Sequence, residues 1–134
     1  MKVLYDLRKD VDQIQRIQKA TLNTDDFGIQ QTHGLFGSDS WWAKIDNGDL
    51  GTYTLKGTIS KVYMGSMGDW PEFEVKDGNG TKSTWTREVN DIKDDSLYIE
   101  GKTVEIDYVI QWHRKKSWDG GAETKCVIQI RVER

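Results

Sequence analysis

The sequence predicts a mainly β protein of the α+β class: a five-stranded barrel preceded by an N-terminal amphipathic helix. Three observations lead there. From residue 51 onward, apolar and polar residues alternate in five separate runs, the two-residue period of half-buried strands. Gly- and Asp-rich turns separate the runs, among them "DGNG" at 77–80, whose residues accept the positive φ of a tight hairpin. Residues 2–22 instead place Leu4, Leu7, Val11, Ile14 and Ile17 at spacings of three and four, the stripe of an amphipathic helix.

The expected helix contains no Gly or Pro, and Asn23 with the following "TDD" supplies its stop. Its stripe is narrow and close to a coiled-coil seam. One reading lays it on its own domain. The other makes Leu4, Leu7, Val11 and Ile14 contact residues for a second copy or a protein partner. A seam of so few turns rarely holds by itself, which favours the first. Residues 23–50 are Gly- and Asp-rich. Ser38-Asp39-Ser40 suits either the cap of a short helix or the start of a strand at "WWAKI". Trp41-Trp42 is a second candidate for docking on a partner.

The first strand, "TYTLKGTISKVYM", sets Tyr53, Leu55, Gly57 and Ile59 on one side. Val62 and Tyr63 break the period, so a bulge or bend is expected near Gly57. "PEFEVKD" sends Phe73 and Val75 one way and Glu72, Glu74 and Lys76 the other. "TKSTWTREV" returns from the hairpin as the third strand. "NDIKDDSLYIEG" is a polar connector with room for a helical turn. "KTVEIDYVIQW" alternates through Val104, Ile106, Tyr108 and Ile110, and "KCVIQIRVER" is the fifth strand. The expected organisation is a helix and irregular segment over 1–50, packed on a barrel over 51–134.

This order, a hairpin between the second and third strands and a connector before the fourth, resembles the oligonucleotide/oligosaccharide-binding fold (OB-fold) over residues 52–134, which implies a small Greek-key barrel. "LKGTISKVY", "FEVKDGNGT" and "YIEGKTVEIDYVI" carry the resemblance, with Gly57, Asp77, Gly80 and Gly101 at the family's turn and strand-start places. It implies a ligand face on the second and third strands, flanked by the loops that join strands one to two and four to five. Those places hold Trp70, Trp85 and Arg87, then Arg114, Lys115, Lys116 and Trp118 in "HRKKSW". Aromatic rings interleaved with cations are what single-stranded nucleic acid stacks on and pairs with. Against this, Trp85 lies within a strand, where burial is commoner, and a short charge run more often keeps a hairpin tip soluble.

Composition limits the choices. The 134 residues carry a formal charge of −3; residues 1–50 hold 6 basic and 8 acidic side chains and residues 51–134 hold 13 and 14, so neither half is a basic module. Strong nonspecific nucleic-acid binding is therefore disfavoured, and any grip is local. Cys126 is the single cysteine, which excludes an intramolecular disulfide and a Cys-based zinc site. His33 and His113 sit near no nucleophile motif and lack metal-ligand spacing. No enzyme, metal or cofactor is expected. No signal-like apolar run or membrane-length segment is present in the sequence, so the expectation is a cytoplasmic protein without a membrane partner. The leading functional expectation is a non-catalytic, OB-fold-like protein binding single-stranded nucleic acid weakly. The alternatives are a protein-interaction or assembly module using the N-terminal helix, and a carbohydrate-binding barrel.

Overall fold

The computed structural model describes residues 1–24, 28–65, 68, 70–112 and 123–134. Its strands are β1 (Lys2–Asp6), β2 (Thr52–Met64), β3 (Pro71–Asp77), β4 (Lys82–Thr86), β5 (Thr103–Trp112) and β6 (Glu123–Val132). Its α-helices are α1 (Val11–Asn23) and α2 (Asp39–Asp46), with 3₁₀ turns at Leu7–Lys9 and Ile92–Leu97. The strands form one six-stranded sheet in the order β1-β6-β5-β2-β3-β4. The protein is thus mainly β, as expected, but the sheet is open and has six strands rather than the five of a closed barrel.

The extra strand comes from the segment expected to be helical. Lys2–Asp6 pairs antiparallel with β6, and the register slips between Val3 and Tyr5. The slip buries Leu4 and Tyr5 side by side, so the strand lacks the strict alternation that would have marked it. Only the second part of the expected helix is helical. Asp10 caps it by accepting from the Gln13 amide at 3.2 Å. It ends at Asn23, where the sequence placed the stop.

Two groups of residues are separately compact. The first comprises Met1–Asp6, Thr54–Asp107 and Ile128–Arg134. Its core includes Tyr5, Ile59, Phe73, Val75, Ile106 and Ile130, all nearly solvent-free. The β3–β4 hairpin turns where expected. Asp77 Oδ1 accepts from the amides of Asn79 at 2.8 Å and Thr81 at 3.0 Å, and Gly80 takes φ +80°. Gly57 has to be glycine for packing reasons, because a Cβ there would stand 2.5 Å from the Lys76 carbonyl. The strand irregularity lies just beyond it, between Ile59 and Lys61. In β5, Val104 and Ile106 face inward as expected, but burial then passes to Val109 and Gln111 instead of Tyr108 and Ile110.

The second group comprises Leu7–Tyr53 and Tyr108–Val127. Ser38 caps α2, its Oγ accepting from the Trp41 amide at 3.3 Å, which decides the ambiguous "SDSWWAKI" in favour of a helix. Trp41 is fully buried, edge-on to Trp42 and tilted against Phe36. Its indole N–H donates to Gln111 Oε1 at 3.2 Å. Trp42 is also buried and lies under the Arg8 guanidinium, 4.0 Å from the ring centre. The pair proposed for docking is therefore core. No described helix is long and apolar enough to cross a membrane.

Candidate functional site

The described members of the expected ligand site, Trp70, Trp85 and Arg87, lie just before β3, on β4 and just after β4. Trp70 stands just before β3 and is 56% exposed, its indole N–H donating to Thr86 Oγ1 at 3.1 Å. Trp85 sits opposite Phe73 in the β3–β4 register and is buried, its indole N–H on Ser83 Oγ at 2.8 Å. It is no stacking platform, because the parity of β4 turns it inward.

Arg87 is already engaged by its own chain through Nε and Nη1. Its Nη1 donates to the backbone carbonyls of Tyr63 and Glu72, both at 2.6 Å, and its Nε donates to Asp95 Oδ1 at 3.2 Å. It ties the ends of β2 and β3 to the connector after β4. Beside it, the outward side chains are polar and paired. Tyr63 donates to Glu72 Oε2 at 3.2 Å, and Ser60 donates to Glu74 Oε1 at 2.9 Å. Arg114, Lys115, Lys116 and Trp118 lie outside the described residues.

The expected contact stripe is divided among different environments. Leu4 and Leu7 are buried within the chain, and Val11 is exposed. Ile14 is half-buried beneath Gly37, where a Cβ would come within 2.5 Å of Ile14 Cγ2. Leu4 lies on β1 and Leu7 in the following 3₁₀ turn, so these four residues do not share one helix face.

Two polar constructions escaped the sequence reading. Arg131 on β6 donates to Asp107 and Glu105 on β5, and the Thr54 hydroxyl on β2 donates to Asp107 Oδ1 at 2.7 Å. Asn90 closes the outer edge of β1. Its backbone N–H donates to the Leu4 carbonyl at 3.0 Å, its Oδ1 accepts from the Asp6 amide at 2.7 Å, and its Nδ2 donates to the Asp6 carbonyl at 3.1 Å. Nothing in "VNDIK" marks that role, because the Asp6 groups its side chain serves are 84 residues away in the chain.

The opposite edge of the sheet is β4. Arg87 donates through its backbone to the Pro71 carbonyl and Asp77 to the Thr81 carbonyl, which fixes the odd-numbered residues as the ones facing β3. The backbone groups of Lys82, Thr84 and Thr86 therefore point away from the sheet. Of these, the Thr86 carbonyl accepts from the Glu88 amide at 2.9 Å.

The Cys126 thiol is pushed up to about 12 by burial, which keeps it protonated. Burial, with the charges of Glu88 and Asp95, also raises the Tyr98 phenol, whose O–H donates to the Glu88 carbonyl at 2.6 Å. Among the described residues no His, Cys, Asp and Glu cluster could hold a metal ion. Among the described residues, then, the surface presents an exposed Trp70, a β4 edge whose outward Lys82 and Thr84 backbone groups have no backbone partner, and polar side chains held in place.

Comparison with known proteins gives one assignment. The family model described as "Immunity protein RhsI2" matches residues 1–133. No curated protein matches the chain.

Proposed function

The chain belongs to the RhsI2 immunity protein family, and from that membership we propose that it binds a cognate Rhs toxin and holds it inactive. The match over residues 1–133 is the observation that carries this reading. It overturns the expectation of a nucleic-acid or carbohydrate ligand. The residue types were compatible with stacking on bases or sugars, but aromatic and Arg side chains serve equally as anchors in protein interfaces. Two members of the expected nucleic-acid site are otherwise engaged, Trp85 in the core and Arg87 on backbone carbonyls.

Neutralisation by binding needs no catalysis from this chain. It needs a surface that matches the toxin and stays in shape before the encounter, because ordering side chains on association costs affinity. The Arg131–Asp107–Glu105 and Arg87–Asp95 pairs are side chains already held in one arrangement in the chain by itself, which supports this reading. Co-expression tests the reading. Growth arrest caused by the Rhs toxin domain is relieved when this chain is co-produced. Undiminished arrest with the chain present at equal or higher level would refute it.

A further inference from the structure

We propose that the outer edge of β4 is the docking line for the toxin, which adds an extended segment to the sheet beside Trp70. This rests on the immunity reading, which supplies the occupant. The two ends of the sheet are treated differently. At β1 the Leu4 carbonyl and both backbone groups of Asp6 are occupied by Asn90, which stands in the way of a further strand there. At β4 the outward N–H and C=O of Lys82 and Thr84 and the outward N–H of Thr86 receive no backbone bond from the described residues.

Two of the usual defences of an edge strand, a proline and a bulge, are missing from β4. Lys82–Thr86 contains no proline and shows no register slip against β3. Its one lysine leans back toward Glu74, 3.9 Å from Oε1. What fits a row of alternating outward donors and acceptors is another extended backbone, with side-chain pockets or platforms adding specificity. Trp70 is such a platform. It is exposed, it is held by its bond to Thr86 Oγ1 at the end of the same edge, and Trp is enriched among residues that dominate binding energy.

The β3–β4 hairpin is also rigid enough to serve as a template. The Asp77 turn, the Phe73–Trp85 pair in the core and the Arg87 bonds fix both of its ends. An incoming strand would therefore order little of this chain.

The test combines two readouts on the full-length chain and the purified Rhs toxin domain. Amide hydrogen exchange is compared with and without toxin, and binding is measured by calorimetry for wild type, Thr84→Pro and Trp70→Ala. Thr84→Pro removes an outward N–H and leaves every β3 ladder bond intact. The proposal expects slowed exchange at Lys82, Thr84 and Thr86 in the complex and binding weakened about tenfold or more by Thr84→Pro. Because exchange is read on the wild type, the test stands even if the proline variant folds poorly. Wild-type binding with unprotected β4 amides overturns the edge proposal and leaves the immunity reading intact. Absence of any wild-type binding overturns both. A concentration-dependent dimer of the chain alone, protected at the same three amides, would overturn the toxin as occupant.

Discussion

Arg131 grips Asp107 with a fork across β6 and β5: Nη1 meets Oδ2 at 2.6 Å and Nη2 meets Oδ1 at 3.1 Å. Its Nε turns to Glu105 Oε1 at 3.1 Å. The fork holds the Asp107 carboxyl below the usual carboxylate range, with the Thr54 hydroxyl helping and partial burial opposing. A depressed carboxyl contributes stability that is fully present above its unfolded-state pKa of about 4 and is lost as pH falls through the folded value. Denaturant unfolding of wild type should therefore weaken below about pH 4, with a shallower acid dependence in Asp107→Asn. Parallel curves for the two proteins would contradict the assignment.

The Trp41–Gln111 bond makes a second expectation. Both residues are buried, and the indole N–H has Gln111 Oε1 as its partner. Gln111→Leu keeps the size but strands a buried donor, which costs about 1–3 kcal/mol. Urea unfolding should show a lower midpoint with an unchanged slope. An unaltered midpoint would mean that the indole finds another acceptor.

Asn90→Ala should release the β1 edge. It removes the two side-chain bonds to Asp6 and should cost about 1–2 kcal/mol. The Asp6 amide should then exchange faster while amides of β3 keep their protection. Equal exchange at Asp6 in variant and wild type would show that the clamp is not what covers this edge.

Cys126 should resist alkylation in the native protein. Its thiol, raised to about 12 by burial, has almost no thiolate at pH 8. Reaction with iodoacetamide should be slow in buffer and fast in denaturant at the same pH. Similar rates in the two conditions would contradict the burial of the sulfur.

What could be read from the sequence was local. "DGNG" formed its hairpin because Asp77 and Gly80 supply the turn by themselves. Phe73 and Val75 point into the core because nothing interrupts the period of β3. β1 was misread because its register slip removes the alternation, leaving Leu4 and Leu7 at a helical spacing. Arg87 looked like a phosphate clamp because its actual acceptors, the Tyr63 and Glu72 carbonyls, lie 24 and 15 residues back in the chain. A protein partner leaves no motif either. The outer edge of β4 and the exposed Trp70 ring become visible only once the strands have folded and their register is known.

The central claim, that this chain holds an Rhs toxin inactive by binding it, is tested most directly by calorimetric titration of the chain into the purified toxin domain. The toxin's activity is assayed on the same mixtures. The account expects saturable binding and a loss of toxin activity that follows occupancy. Toxin that remains fully active when saturated with the chain, or a titration without binding heat and without a complex on gel filtration, would contradict it.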